Sequence, residues 1–273
     1  MIPAGRAFYK MTGSGNDFVM IDARVEPPGA LAEPRVIQSI CARGTGVGAD
    51  GIVFLESVPS AAVGLRYLNA DGSKADLCGN ATLCTARLAI ELAAAERSGF
   101  EIATDSGLVS ARMLDDIPEI DLQPVTDVVP DWTAAGLVMG ERRMGFALVG
   151  VPHLVVLCDS VATVDVVGRG RPLRRHSDLA HGANVNFVGA AGDGRWRMRT
   201  YERGVEAETL ACGSGAVATA ILLASWGLSG SSTQIETSSG RALRVRLERD
   251  GEDWLPSLAG EARIVYEGRL AEV

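Results

Sequence analysis

The chain has 273 residues, of which 47% are hydrophobic and 22% are charged, and its formal net charge is −8 at pH 7. This composition excludes a disordered or collagen-like chain, and the acidic balance argues against nucleic acid and anionic membranes as partners. A chain of this length predicts two domains.

The start of the chain and its cysteines predict where the protein works. Residues 1–11 lack the apolar core of a secretion signal, which predicts a cytoplasmic protein. The five cysteines include no CxxC pair, and their odd number argues against a disulfide framework. Thiols in a reducing compartment are expected instead, and no metal site is expected. The cysteines are Cys41, Cys78, Cys84, Cys158 and Cys212.

In chain order, four segments of the first half recur in the second half, at offsets of 133 to 137 residues. The first-half segments are Gly13, Gly48–Asp50, Cys78–Ala81 and Ala103–Gly107, and their counterparts are Gly150, Gly182–Asn184, Cys212–Gly215 and Glu236–Gly240. Each cysteine segment opens an Ala- and Leu-rich helix, predicted over 81–95 and 215–227. Four matches in one order indicate an internal duplication.

The two predicted helices lack a broad polar face over most of their length, which is typical of a helix enclosed by a curved sheet. We therefore predict an α/β (α+β) fold of two pseudo-symmetric domains, each a curved β-sheet or barrel around one central helix. Three prolines place the domain boundary between 118 and 135. The predicted domains are 1–124, completed by a C-terminal strand at about 262–273, and 125–261.

One uncharged stretch, Thr209–Ile235, is long enough to cross a membrane. It is broken by Gly, Ser and Thr and stands alone in the middle of the chain. We interpret it as a loop followed by a buried helix.

The duplication places Cys78 and Cys212 at the first turn of equivalent helices. A helix N-terminus favours negative charge and lowers the pKa of a thiol from about 8.5. Its backbone N–H groups also suit a carboxylate, and Gly79 and Gly213 allow close approach of a ligand. Inversion of an α-carbon needs a base on one face and an acid on the other. A thiolate and a thiol meet that need, which predicts a cofactor-independent amino-acid epimerase.

Each of these residues also has an ordinary structural interpretation. Cys41, Cys84 and Cys158 are expected to be small buried apolar residues, and the counterpart of Cys84 is Ala218. Asparagines such as Asn16, Asn69 and Asn184 are common turn formers, Glu202 and Arg203 are compatible with a surface ion pair, and His153 with a bond to a loop carbonyl.

Six motifs make the chain resemble the diaminopimelate epimerase family over nearly its whole length. They are MTGSGNDFVMID (11–22), RGTGVGADGI (43–52), NADGSKADLCGN (69–80), GVPHLVV (150–156), GANVNFV (182–188) and YERGVEAETLACGSGA (201–216). The chain departs from the family pattern at Leu83, where an Arg is frequent, and at Val151, where an Asn is frequent.

The resemblance implies that Cys78 and Cys212 are the acid and base that interconvert LL- and meso-diaminopimelate. It implies that the backbone of Gly79, Asn80, Gly213 and Ser214 holds the reacting carboxylate. It further implies a substrate pocket lined by Asn16, Asn69, Asn184, Glu202 and Arg203, with His153 and Glu202 tuning the thiols. The expected partner is a small amino-acid substrate without a cofactor, and a homodimer is the expected assembly.

Three other functions stay open at this point. The first is a racemase of the same fold that acts on another amino acid. The second is a hydrolase with Cys212 as nucleophile and His153 as base, which leaves the second cysteine unexplained. The third is a binding module without catalysis, although both thiols are retained.

Overall fold

The computed structural model describes residues 5–74 and 78–271. Ala75–Leu77, which belong to the motif at 69–80, lie outside the described residues. The α-helices are α1 (Pro34–Cys41), α2 (Gly79–Glu91), α3 (Val166–Arg174) and α4 (Gly213–Ser225). The strands are β1 (Ala7–Gly13), β2 (Asn16–Asp22), β3 (Gly51–Glu56), β4 (Val63–Asn69), β5 (Phe100–Thr104), β6 (Gly107–Leu114), β7 (Ile117–Asp121), β8 (Val128–Val129), β9 (Glu141–Val149), β10 (Val151–Cys158), β11 (Asn184–Gly192), β12 (Arg195–Glu202), β13 (Ala207–Thr209), β14 (Ser232–Glu236), β15 (Ala242–Asp250), β16 (Asp253–Gly260) and β17 (Ala262–Arg269).

The chain divides into two compact units. Unit 1 comprises Met1–Ile120 together with Ala259–Val273, and unit 2 comprises Asp121–Leu258. Unit 1 is therefore built from two separate stretches of the chain, because β17 returns to it after unit 2 is complete.

The sheet of unit 1 is centred on β1 and β2. Strand β1 is antiparallel to both β17 and β2, while β2 runs parallel to β3, with Phe18 opposite Gly51. Strands β3 and β4 are antiparallel, β4 and β5 parallel, and β5 and β6 antiparallel. A buried apolar cluster, which includes Ile37 and Ile40, packs α1 against this sheet.

The sheet of unit 2 repeats this alternation from β9 onward. Strands β9 and β10 are antiparallel, β10 and β11 parallel, with Leu154 opposite Val185, and β11 and β12 antiparallel. Strands β12 and β14 are then parallel and β14 and β15 antiparallel. The same pairing sequence in both units confirms the predicted duplication and the predicted α+β fold.

Each unit holds one central helix, α2 in unit 1 and α4 in unit 2, and each has 13 residues. Helix α2 contacts β1, β2, β3, β4, β6 and β17, whereas α4 contacts β9, β10, β11, β14 and β15. Nearly every residue of α4 is buried, from Gly215 to Leu223 without interruption. Strands thus surround each helix, and this explains why neither sequence has a broad polar face.

The predicted helix bounds are wrong by a few residues. Both helices begin two residues earlier than predicted, directly after the cysteines, and end at Glu91 and Ser225. The ends follow from left-handed residues at equivalent positions, Ala93 and Gly227, whose φ angles are 50° and 71°. Helix α4 lies within the uncharged stretch at 209–235 and is too short for a membrane span. No helix in the described part of the chain is long and apolar enough to cross a membrane.

Candidate active site

Cys78 and Cys212 are the N-cap residues of α2 and α4. Their backbone is extended, with φ and ψ of −122° and 107° at Cys78 and −142° and 107° at Cys212. The first helical bonds are donated to their carbonyl groups by Thr82 and Ala216, at 2.9 and 3.0 Å. The amides of the intervening residues have no acceptor inside the helix. Each cysteine therefore directly precedes a row of N–H donors at a positive helix end.

In unit 1, a chain of side-chain amides supports the start of α2. Asn80 Nδ2 donates to Asn16 Oδ1 at 2.7 Å, and Asn16 Nδ2 donates to Asp50 Oδ2 at 3.0 Å. Because a carboxylate can only accept, Asp50 fixes the orientation of both amides. Asn80 Oδ1 is left buried and has no hydrogen-bond partner among the described residues.

Charged side chains anchor Asp50 in turn. Arg43 Nη2 bridges Asp17 Oδ1 and Asp50 Oδ1, at 2.6 and 2.7 Å. Lys10 Nζ donates to Asp17 Oδ2 at 2.6 Å and to the carbonyl of Gly48. Burial alone would raise the pKa of Asp17, but bonds from Arg43 and Lys10 hold it below its usual value. This cluster keeps the loop before β3 fixed beneath Asn16.

Asn69 lies at the end of β4, opposite Gly51 on β3. Its Nδ2 donates to Ser73 Oγ at 3.0 Å, and its backbone N–H donates to the carbonyl of Ser73 at 2.9 Å. The carbonyl of Asn69 also accepts from the backbone N–H of Gly72 at 2.8 Å, so Asn69 is the first residue of a turn. The ordinary interpretation, a turn former, thus holds in the structure, and a role in substrate binding stays a prediction.

In unit 2, the start of α4 is supported by a different set of side chains. Ser214 Oγ lies 3.7 Å from Cys212 Sγ and 3.0 Å from His153 Nε2. The other ring nitrogen, His153 Nδ1, lies 3.2 Å from Asn186 Nδ2. Asn186 Nδ2 also donates to the carbonyl of Leu154 at 3.1 Å, and Asn186 Oδ1 accepts from Thr200 Oγ1 at 3.0 Å. A continuous row of polar contacts thus runs from Cys212 to Thr200.

His153 is fully buried on β10. Burial first, and the positive charge of Arg203 second, lower its pKa from 6.5 to about 3. Both effects disfavour the imidazolium. The ring is therefore neutral at physiological pH.

Three further predicted residues order the end of β12. Asn184 Oδ1 accepts from the backbone N–H of Arg203 at 2.7 Å, and Arg203 Nη1 donates to the carbonyl of His181 at 3.2 Å. Glu202 Oε2 accepts from Thr209 Oγ1 at 2.7 Å. Glu202 is thus bonded to Thr209, and Arg203 is bonded to Asn184 and His181.

The other three cysteines behave as buried apolar residues. Burial raises the pKa of Cys41 to about 11 and that of Cys158 to about 12. The pKa of Cys84 lies well above its usual value, through complete burial first and the neighbouring Cys78 second. All five cysteines are thiols. Only Cys78 and Cys212 stand at helix starts.

Sequence reasoning missed the residues that hold the predicted ones in place. Asp50 and Asn186 lie inside two of the six motifs, but only the fold brings Asp50 to Asn16 and Asn186 to His153. One feature of the sequence beside Cys212 could have pointed to Asn186, namely a glycine, Gly215, in the first turn of α4. A Cβ on Gly215 would lie 2.3 Å from Asn186 Oδ1, and the first helix has Ala81 at that position.

The sequence comparisons with known proteins point to one family. The family model described as diaminopimelate epimerase matches residues 8–126 and 145–265. A diaminopimelate epimerase of Gemmatimonas aurantiaca is 50% identical, covering 97% of this chain and 99% of that protein. One of Aquifex aeolicus is 36% identical, covering 97% and 98%. A crystal structure of a phenazine biosynthesis protein of the PhzF family from Bacillus anthracis matches with a TM-score of 0.75, at 14% identity over 98% of this chain and 99% of that one.

Proposed function

The chain belongs to the diaminopimelate epimerase family and is an isomerase, and on that premise we propose that it inverts one α-carbon of diaminopimelate with Cys78 and Cys212 as base and acid. The product pair is LL- and meso-diaminopimelate, precursors of lysine and of the cell wall. The observation that carries the proposal is the repetition of a cysteine N-cap on both central helices. No other cysteine is duplicated.

The chemistry requires a thiolate at one face of the α-carbon and a thiol at the other. The thiolate removes the α-proton, and the thiol delivers a proton to the opposite face, so the two cysteines exchange protonation states in each turnover. The intermediate carries negative charge on the α-carbon and its carboxylate. Backbone N–H groups of Gly79, Asn80, Gly213 and Ser214 stabilise that charge as preorganised dipoles. In this proposal no cofactor is needed to spread the charge.

The polar side chains take separate parts in the proposal. Arg203 and the asparagines Asn16, Asn69 and Asn184 bind the charged ends of the substrate, since a guanidinium suits a carboxylate and an amide accepts from an ammonium. Glu202 and His153 adjust the thiols. His153 is unsuited to a general base because its pKa of about 3 makes it a poor proton acceptor. This argues against the hydrolase with Cys212 as nucleophile.

Replacement of either cysteine tests the mechanism. We expect Cys78→Ala and Cys212→Ala each to lower the rate of epimerisation by at least about 10² to 10⁴, because each proton transfer needs its own group. Turnover is measured by optical rotation or with a coupled dehydrogenase. Cys84→Ala is the matched control, since Ala218 occupies the equivalent place in α4, and it should retain activity. Wild-type turnover in either test variant would refute the two-thiol mechanism.

The substrate is tested in deuterated water. Diaminopimelate should acquire deuterium at the α-carbon much faster than lysine, ornithine, histidine or proline, because a site built for two charged ends leaves polar groups unpaired with a shorter ligand. Equal exchange into one of these other amino acids would favour a racemase of the same fold instead. A cytoplasmic homodimer is also part of the proposal, and light scattering on the purified chain tests the dimer.

A further inference from the structure

Asn186 is a buried amide on β11 to which the proposed mechanism gives no task. Its side chain is fully buried and touches three groups: His153 Nδ1, the carbonyl of Leu154 and the hydroxyl of Thr200. A buried amide with all of its contacts satisfied is fixed in orientation. The chemistry of those contacts determines which way it points.

The carbonyl of Leu154 can only accept a hydrogen bond, so the atom 3.1 Å away must be the amide nitrogen of Asn186. The opposite orientation would bring two oxygen atoms together. The amide oxygen then accepts from Thr200 Oγ1 at 3.0 Å. The second N–H of Asn186 is directed at His153 Nδ1, 3.2 Å away. An amide nitrogen has no lone pair to offer, so Nδ1 must accept and carries no proton.

A neutral imidazole without a proton on Nδ1 carries it on Nε2. Nε2–H then donates to Ser214 Oγ at 3.0 Å. Ser214 uses a lone pair for this bond, so its own proton is available to Cys212 Sγ, 3.7 Å away. We propose that Asn186 is a positioning residue that locks His153 as the Nε2–H tautomer and thereby makes Ser214 a hydrogen-bond donor to the Cys212 thiolate.

The first repeat offers an internal comparison. The strand pairing aligns Asn186 with Ile52, because Val185 and Leu154 correspond to Gly51 and Phe18. The helix residues that follow the cysteines differ at the same two positions. They are Ser214 and Gly215 in α4, and Asn80 and Ala81 in α2. A Cβ at position 215 would collide with Asn186 Oδ1. The bond that fixes the His153 tautomer is thus a feature of unit 2, and the surroundings of Cys212 differ from those of Cys78.

Nitrogen NMR on the unaltered protein tests the lock directly. The chain has three histidines, so a long-range ¹H–¹⁵N spectrum of ¹⁵N-histidine-labelled protein resolves each ring, and His153→Gln identifies the signal of interest. We expect the neutral Nε2–H pattern at every pH from 7.5 to 5.5. The Nδ1–H pattern, or an imidazolium, would overturn the proposal. This result does not depend on turnover, and therefore a failure of the proposed function would not affect it.

Asn186→Asp reverses the contact, because a carboxylate accepts from Nδ1–H and leaves Nε2 without its proton. Ser214 then donates to His153 and no longer to Cys212. The experiment with Asn186→Asp rests on the proposed function, in which Cys212 reacts as a thiolate. The pH midpoint of Cys212 alkylation, followed by peptide mass spectrometry, should rise by about one unit or more, and kcat should fall more than KM. Cys78 in the same sample is the internal control, and its midpoint should stay unchanged.

A double variant of Asn186 and Ser214 shows whether Asn186 acts on Cys212 through His153 and Ser214, which we call the relay, or by a general disturbance of the site. If Asn186 acts through Ser214, Asn186→Asp should shift the Cys212 midpoint clearly less in a Ser214→Ala background than in the wild type, because only the new charge then acts on the thiolate. Additive shifts, or equal shifts at Cys78 and Cys212, would overturn the relay. Circular dichroism establishes that each variant is folded, and the NMR experiment on the unaltered chain decides the tautomer if Asn186→Asp does not fold.

Discussion

Polar residues near the starts of the two central helices are oriented by partners that can only accept a hydrogen bond. Asp50 can only accept, so it orients Asn16 and Asn80. The carbonyl of Leu154 can only accept, so it orients Asn186 and with it the ring of His153. A side-chain amide can both donate and accept and could therefore point either way. In both units, a partner that can only accept fixes its orientation. The surroundings of each thiol are thus prepared before a substrate binds.

The buried His153 makes the folded state sensitive to acid. Its pKa is about 3 in the folded protein, whereas the pKa of an unperturbed histidine is 6.5, so the unfolded chain binds the proton first. The contribution of neutral His153 to the free energy of unfolding is complete above pH 6.5 and is lost as the pH falls toward 3. Between pH 7.5 and 5.5, the free energy of unfolding should fall by about 1.4 kcal/mol from this residue. Urea unfolding at both pH values measures it.

His153→Gln is the control for this loss. A neutral side chain at position 153 should remove about 1.4 kcal/mol of the pH dependence in the same window, whatever its effect on stability at pH 7.5. If the variant and the wild type lose stability in parallel, His153 is not buried as a neutral ring in solution.

At the scale of elements, the two central helices share their length and their cysteine N-caps but differ in what their first turns allow. A glycine at position 215 lets α4 pass Asn186, where a Cβ would lie 2.3 Å from Asn186 Oδ1 and 3.1 Å from Cys212 Sγ. Helix α2 has Ala81 at this position. Packing against a polar side chain has thus overruled helix propensity in only one repeat.

Gly215→Ala tests this difference. In an unobstructed helix, alanine in place of glycine stabilises by about 1 kcal/mol. Here overpacking should destabilise the protein by about 1 to 3 kcal/mol and lower epimerase activity, because Asn186 or Cys212 must move. Urea unfolding and the turnover assay measure the two effects. The matched variant is Ala81→Gly, which should cost about 1 kcal/mol, and a gain in stability from Gly215→Ala would contradict the packing argument.

At the scale of the whole molecule, the chain completes unit 1 only with its last strand. Strand β17 pairs with β1 from Ala7 to Gly13, and its first residue, Ala262, accepts a bond from Arg87 Nε of α2 at 3.3 Å. The packing of α2 therefore depends on a residue 175 positions away from Arg87. Unit 1 therefore includes a strand that follows all of unit 2 in the chain.

Truncation after Gly260 tests this dependence. Without β17, the amides of α2 should exchange hydrogen at least about tenfold faster, since a local loss of about 1.4 kcal/mol lowers protection by that factor. Peptides of α4 in the same sample serve as the control and should keep their protection. Exchange measured by mass spectrometry distinguishes these outcomes, and unchanged protection of α2 would show that β17 is dispensable for unit 1.

The sequence by itself determined the duplication, the α+β class, the two central helices and the two thiols at their starts. These features are local or periodic: a Cys-Gly step before an apolar helix and a spacing of 134 residues are visible without coordinates. It also placed Ser214 and His153 among the residues of interest. The helix ends were missed by a few residues because a left-handed Ala93 carries no clear signal.

Only the tertiary structure decided which residues support the thiols. Asn186 reaches His153 across two parallel strands, and Asp50 reaches Asn16 from a loop 34 residues away. Such contacts depend on strand register, which no local pattern encodes. Hydrogen-bond direction depends in turn on the third partner, a backbone carbonyl or a carboxylate. For that reason, the tautomer of His153 follows from the fold and not from the motif in which the histidine lies.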